Sequence, residues 1–147
     1  FTQKVNWKDL DFIIVDMPPG TGDTQLTFSQ EIKMDGVIIV STPQEVALLD
    51  VKRGIKMFDK LGVKILGLVD NMSFFVGDDA KKYKIFGESS VKKTAEEFQK
   101  EFLGEIPINP KVGKFGDEGK PIVESDIDHE ISKIYLNLAD KVKSTYL

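Results

Sequence analysis

The chain predicts an α/β fold, a mostly parallel sheet with flanking helices, on three observations. Short apolar runs alternate with amphipathic stretches along its 147 residues, the pattern of βαβ units. The run Phe12-Ile13-Ile14-Val15 lacks polar alternation, so it reads as a strand buried on both faces. It ends in Asp16 and a turn-rich segment, Met17-Pro18-Pro19-Gly20-Thr21-Gly22-Asp23, which sets a carboxylate at the C-terminal edge of that strand.

The elements follow in order. Strands are expected at Phe12–Val15, Val37–Ser41 and Ile65–Val69, with a weaker one at Phe102–Ile106. Helices are expected at Thr24–Lys33, Val46–Leu61, Ser89–Glu101 and Ile127–Ser144. In the second helix Val46, Leu49, Ile55, Phe58 and Leu61 share a face, and Lys52, Arg53, Lys56 and Lys60 stay in water. Gly62 is a suitable stop. Gly77–Phe86 is polar and without periodicity, so it reads as an exposed loop. Pro107 and Pro110 are expected to break the chain after the fourth strand. The last helix carries an apolar stripe of Ile127, Ile131, Ile134, Leu138 and Val142. Its polar face mixes both signs of charge, which favours core packing over a membrane surface. The whole reads as part of a single domain, residues 1–147.

Bulk properties exclude several classes. A composition of 41% hydrophobic and 30% charged residues is that of a globular domain. No apolar run is long enough to span a bilayer. A net charge of −4 offers no footprint for duplex nucleic acid, and Lys81-Lys82 and Lys92-Lys93 are answered by Asp78, Asp79, Glu96 and Glu97. The absence of cysteine removes disulfides, thiol catalysis and thiolate metal sites from this chain. No leader of basic then apolar residues follows Phe1. Because translation starts at Met, a chain opening on Phe1 is expected to be a piece of a longer one.

Asp16 reads in two ways, as a strand-end carboxylate capping the turn or as the residue that orders Mg²⁺ beside a nucleotide in P-loop NTPases. The glycine loop after it favours the second. Gly20 and Gly22 permit close backbone approach to a ligand or a partner subunit. Asp23 is placed to cap the helix from Thr24, and the same loop could sense a γ-phosphate. Ser41-Thr42-Pro43-Gln44-Glu45 leaves the second strand where open α/β sheets bind ligands, although Thr42 or a neighbour could simply cap the next helix. Asp50 is either a solvated charge or a contact. Asn71 is either a turn former or, through its donor and acceptor, a reader of a purine edge. The single His129 has no catalytic partner in the sequence and reads as a surface residue.

Taken together, Asp16-Met17-Pro18-Pro19-Gly20-Thr21-Gly22-Asp23, Thr42-Pro43-Gln44-Glu45-Val46-Ala47-Leu48, Asn71-Met72-Ser73, Ile85-Phe86-Gly87, Gly104-Glu105-Ile106-Pro107 and Gly119-Lys120-Pro121-Ile122-Val123 closely resemble the Mrp/ApbC family. These are iron–sulfur cluster carrier ATPases of the ParA/MinD-type P-loop group, and the match covers the C-terminal part of their ATPase domain. The resemblance implies a cytoplasmic homodimer that binds and hydrolyses ATP with Mg²⁺ and hands a [4Fe-4S] cluster to apo iron–sulfur proteins, without nucleic acid or membrane as partner. It makes Asp16 the Walker B aspartate, holding Mg²⁺ through water, and Gly20, Thr21, Gly22 and Asp23 the switch loop. It makes Asn71 the adenine-recognising residue, sets Pro107 against the base and Pro43 at the nucleotide edge, and lets Asp50 engage a lysine of the partner subunit.

Two departures qualify this. The family's lysine-bearing phosphate loop, of the kind G-x-x-x-x-G-K-[ST], is absent from these residues, so the chain alone is expected to bind ATP weakly and to be inactive, and to leave strand edges unpaired. Many members also carry Cys-x-x-Cys after Asn-Met-Ser, where this chain has Gly77-Asp78-Asp79-Ala80-Lys81-Lys82-Tyr83. The alternatives are a ParA/MinD-like positioning ATPase acting on DNA or membrane, and a non-catalytic adaptor.

Overall fold

The computed structural model describes residues 4–18 and 20–147. Its elements run α1 (Asp23–Glu31), β1 (Val37–Ser41), α2 (Glu45–Leu61), β2 (Ile65–Val76), β3 (Lys82–Tyr83), α3 (Ser90–Glu97), β4 (Phe102–Ile108), α4 (Pro110–Asp117), α5 (Ile122–Ser125) and α6 (Glu130–Tyr146). β2 is the centre of the sheet. It pairs parallel with β1 on one side and with β4 on the other, Leu68 facing both Ile39 and Phe102. The short β3 turns back antiparallel on β2, Phe75 opposite Tyr83. This is the expected mixed, mostly parallel α/β sheet.

Alternation along β2 sends neighbouring side chains to opposite faces. On one face Leu68 packs with Leu48, Val51 and Ile55 of α2 and with Val91 and Ala95 of α3. On the other, Val69 and Ile106 pack with Ile122 of α5 and Ile131 of α6. The helix α2 fits this role because its apolar side chains recur at helical spacing. It ends at Gly62, which takes φ +69, while the Val63 amide donates back to the Phe58 carbonyl at 3.0 Å. That six-to-one bond closes the helix end, and glycine adopts the left-handed turn without a Cβ penalty.

Several expectations are corrected. Phe12–Val15 forms no strand, and Ile14 is 91% exposed. A strand gains its ladder bonds only beside another strand, and among the described residues β1 pairs with β2 alone. β2 runs beyond Val69 to Val76, so Asn71-Met72-Ser73 lies within a strand and not after one. The expected loop over Gly77–Phe86 contains a hairpin turn and β3. Pro107 does not break β4; it is buried within the strand. Proline is tolerated there because β4 has one partner strand and its pairing is irregular at this point, between Ile106 and Ile108. Pro110 opens α4 at its first turn, with the Asn109 side chain accepting from the Lys111 amide at 2.9 Å. The last helix starts at Glu130, three residues later than expected, leaving Ile127 exposed.

Candidate functional site

Parallel pairing brings the C-terminal ends of the strands to one edge. Ser41 of β1 faces Asp70 of β2, which faces Glu105 of β4, and Asn71 faces Ile106. Pro43 follows β1, while Asn71 and Pro107 lie inside β2 and β4, one and two positions past the Ser41–Asp70–Glu105 row, toward the side where open α/β sheets bind ligands. Pro43 and Pro107 are buried and Asn71 is half-buried. The Asn71 Oδ1 accepts from the Met72 amide at 3.1 Å.

Met72 has φ +57, a strained conformation for a side chain with a Cβ. The β2–β4 register shifts between Asn71 and Phe75, so the strand bulges here. Bulges re-aim side chains beside functional sites. The bulge is held from the far side, where the buried Ser73 Oγ donates to the Ile106 carbonyl at 3.2 Å.

Asp70 was not singled out by sequence reasoning. It is 0% exposed. Its Oδ2 accepts from the Ser89 hydroxyl at 2.6 Å, and its Oδ1 is buried with no hydrogen-bond partner among the described residues. Burial pushes its carboxyl above the usual carboxylate range, against the lowering effect of the Ser89 bond, with Glu105 adding to the rise and Lys84 opposing it. Ser89 sits at the N-cap of α3 yet makes no side-chain capping bond, because its hydroxyl is turned to Asp70. The signal for Asp70 was an acid with apolar runs on both sides, Gly67-Leu68-Val69 before and Phe74-Phe75-Val76 after.

The glycine loop precedes α1 and the first strand of the sheet. Asp16 is exposed and outside any helix or strand, and Pro19 is outside the described residues. Gly20 takes φ +91, with nothing within 4 Å of a Cβ built there. The helix α1 starts at Asp23 with Gly22 as its N-cap, so Asp23 does not cap it as expected; its charge sits in the first turn, at the positive end of the helix. The Gln25 amide donates to the Pro18 carbonyl, tying loop to helix. Gln44, not Thr42, is the N-cap of α2, and Thr42 Oγ1 lies 3.3 Å from Gln44 Oε1. Asp50 is exposed and pairs with Arg53 at 3.3 Å. His129 is the N-cap of α6, its Nδ1 accepting from the Ile131 amide at 3.2 Å.

In the hairpin where the thiolate pair would stand, Asp79 accepts from the Lys81 amide at 3.1 Å and from the Tyr83 hydroxyl at 3.0 Å. These bonds hold its carboxyl below the usual range, the backbone bond most of all. A Cβ at Gly77 would meet the Tyr83 ring at 2.8 Å and Asp79 Oδ1 at 2.9 Å, so the turn has no room for a larger residue without moving Tyr83. No group of three or more His, Cys, Asp or Glu able to hold a metal occurs among the described residues. No helix among them is long and apolar enough to cross a membrane.

The family model described as ParA, NUBPL iron-transfer P-loop NTPase, matches residues 1–143. The chain belongs to this family. It is 49% identical over 142 residues to the iron–sulfur protein required for NADH dehydrogenase, mitochondrial, of Arabidopsis thaliana, covering 96% of this chain and 45% of that protein. It is 42% identical over 140 residues to the iron–sulfur cluster carrier protein of Aquifex aeolicus, covering 95% of this chain and 38% of that one. The chain thus spans less than half the length of these relatives. Among solved structures, the Archaeoglobus fulgidus nucleotide-binding protein in complex with ADP superposes with a TM-score of 0.69 at 38% identity, covering 78% of this chain and 47% of that one. Family membership upholds the resemblance read from the Asp16–Asp23 and Asn71–Ser73 segments, and the α/β fold of the P-loop NTPases with it.

Proposed function

We propose that this chain carries the Mg²⁺-side and base-side elements of an ATP-dependent iron–sulfur cluster carrier that works as a homodimer and delivers clusters to apo iron–sulfur proteins. The observation that supports it most is the placement of Pro43, Asn71 and Pro107 toward one side of the sheet, with Asn71 aimed by a bulge. A half-buried amide offers a donor–acceptor pair, which recognition of a purine edge requires.

The donor set fits Mg²⁺ in a limited way. Magnesium keeps several waters and binds through one or two carboxylates together with substrate phosphates, so the exposed Asp16 suffices on the protein side. Bound there, the ion would neutralise charge on the phosphates. Gly20 and Gly22 let backbone amides approach the same phosphates, and the loop to Asp23 reorders as they change. Asp50, exposed on α2, is free to exchange its Arg53 partner for a basic residue of a second subunit. The cradle for the β- and γ-phosphates is not among these residues, so turnover belongs to the full-length protein.

The cluster is cargo, and the hairpin does not fit the usual way of holding it. It has no thiolate, and Asp79 is already engaged. No ligation step follows from this chain. The full-length protein carrying Asn71→Ala tests the base-side reading: ATP affinity falls, whereas unchanged affinity would refute it. Transfer of a reconstituted [4Fe-4S] cluster to an apo iron–sulfur protein, with and without ATP, tests the carrier role, and nucleotide-independent transfer would count against the gating.

A further inference from the structure

The segment from Asn71 to Glu88 begins along β4, with Phe75 opposite Ile108 and Ser73 bonded to the Ile106 carbonyl, and then turns away from the sheet and returns. β2 continues through the Met72 bulge to Val76, turns through Gly77–Lys81 with the Gly77 amide bonded to the Lys81 carbonyl at 3.0 Å, and returns along β3. A second turn follows, closed by the Gly87 amide on the Lys84 carbonyl at 3.1 Å and by a Lys84–Glu88 ion pair. The two ends then meet, Ser89 Oγ on Asp70 Oδ2 at 2.6 Å, across 19 positions of sequence.

This contact is expensive in the fold. A buried carboxylate with one bonded and one orphaned oxygen costs stability, and Ser89 forgoes its ordinary capping bond to the first turn of α3. Both sacrifices serve one geometry: the residue directly before Asn71 is fixed to the residue that ends the hairpin excursion.

We propose that Asp70 and Ser89 are positioning residues which staple the base-reading Asn71 to the Val76–Tyr83 hairpin, so that occupation of the nucleotide edge is felt at the hairpin. The inference rests on the base-side reading of Asn71. Base contact orders Asn71 and the adjacent bulge; the staple keeps the return arm in register with it; the hairpin between them is ordered in turn. The hairpin turn is locked by Asp79 and Tyr83, and the staple makes that turn a nucleotide-dependent surface.

The test uses the full-length protein, with ATP affinity from calorimetry and hydrogen exchange of residues 72–83 with and without ATP. Asn71→Ala is expected to weaken ATP binding by about tenfold, the value of one good hydrogen bond. Ser89→Ala is expected to weaken it by at least about threefold and to abolish the ATP-dependent protection of the hairpin. Asp70→Asn keeps an acceptor for the Ser89 hydroxyl and is expected to retain both. Ser89→Ala is a mild change at a half-buried residue, so it reports even if Asp70→Ala fails to fold. A lower Tm in Ser89→Ala with wild-type affinity and protection, beside a weakened Asn71→Ala, overturns the staple alone. Unchanged affinity in Asn71→Ala overturns the base reading and the staple with it.

Discussion

Tyr146 donates its phenolic hydroxyl to the Asp35 carbonyl at 2.6 Å, joining the end of α6 to the entry of β1 across 111 positions. The ring also lies 5.7 Å from the Lys64 ammonium. Gly36 stands beneath it, where a Cβ would come within 2.5 Å of the hydroxyl and 2.9 Å of Leu66. Tyr146→Phe is therefore expected to cost about 1 kcal/mol, read as a shift in denaturant midpoint. Gly36→Ala should cost at least as much, since both neighbours must move. Burial, with a smaller contribution from Asp35, raises the Tyr146 hydroxyl above its ordinary 10.0. The folded state thus keeps the phenol proton to higher pH than the unfolded chain. The stabilisation is complete below pH 10.0 and disappears as pH climbs through the raised value. A Tyr146→Phe profile parallel to wild type above pH 10.0 would contradict this.

Asp16 is exposed and makes no hydrogen bond or ion pair among the described residues, so Asp16→Ala should leave folding intact. In the full-length protein it should reduce Mg²⁺-dependent ATP hydrolysis by at least about a hundredfold, because the ion loses its protein anchor. Unchanged hydrolysis at saturating Mg²⁺ would remove Asp16 from the metal's coordination.

Legibility in the sequence followed how locally each feature is encoded. β1 and α2 were readable as elements because Val37–Val40 is continuously apolar and α2 repeats apolar residues at helical spacing. The face expected for α2 was partly wrong: Val46 and Leu49 are exposed, and Leu48 and Val51 are buried with Ile55 and Phe58. Phe12–Val15 was equally readable as a strand and is not one, because strand formation is decided by a neighbour that periodicity cannot see. Asn71-Met72-Ser73 imitates a turn, yet the sheet carries it through as a bulge, with β4 supplying the pairing. The helices α4 and α5 were missed because Gly113 and Gly116 weaken the first and the second is a single turn. At the proposed site, Asp16 and Asn71 were singled out from their segments, and Pro107 only through the family resemblance. Asp70 was missed, although an acid between apolar segments marked it, because its role depends on Ser89, a contact between loop and strand.

ATP binding by the 147 residues alone is a separate matter. The proposed base edge lies among these residues, but base contacts without a phosphate cradle leave most of the ligand's charge in water. Dissociation constants weaker than about 1 mM are expected by calorimetry. Micromolar binding by this chain would mean that a phosphate site exists among residues read as loop and would redirect attention to the Gly20–Asp23 turn.

The pH dependence of stability should single out Asp70. Burial is the main reason its carboxyl lies above 3.8, and Glu105 adds to it, while the Ser89 bond and Lys84 pull the other way. The folded protein therefore holds the Asp70 proton to higher pH than the unfolded chain does. Between 3.8 and the raised value the native state carries the extra proton, so stability declines as pH rises through that window. The buried Oδ1 has no hydrogen-bond partner among the described residues, which adds to the cost of charging Asp70 in the fold. Asp70→Asn is neutral throughout and keeps the Ser89 bond. It should match wild type below pH 3.8 and exceed it at pH 7 by on the order of 1 kcal/mol. Denaturant midpoints of the two proteins, measured at intervals from acid to neutral, check the sign. A mutant that loses ground as pH rises would show that ionised Asp70 is stabilised by its surroundings, and that Lys84 and Ser89 outweigh burial.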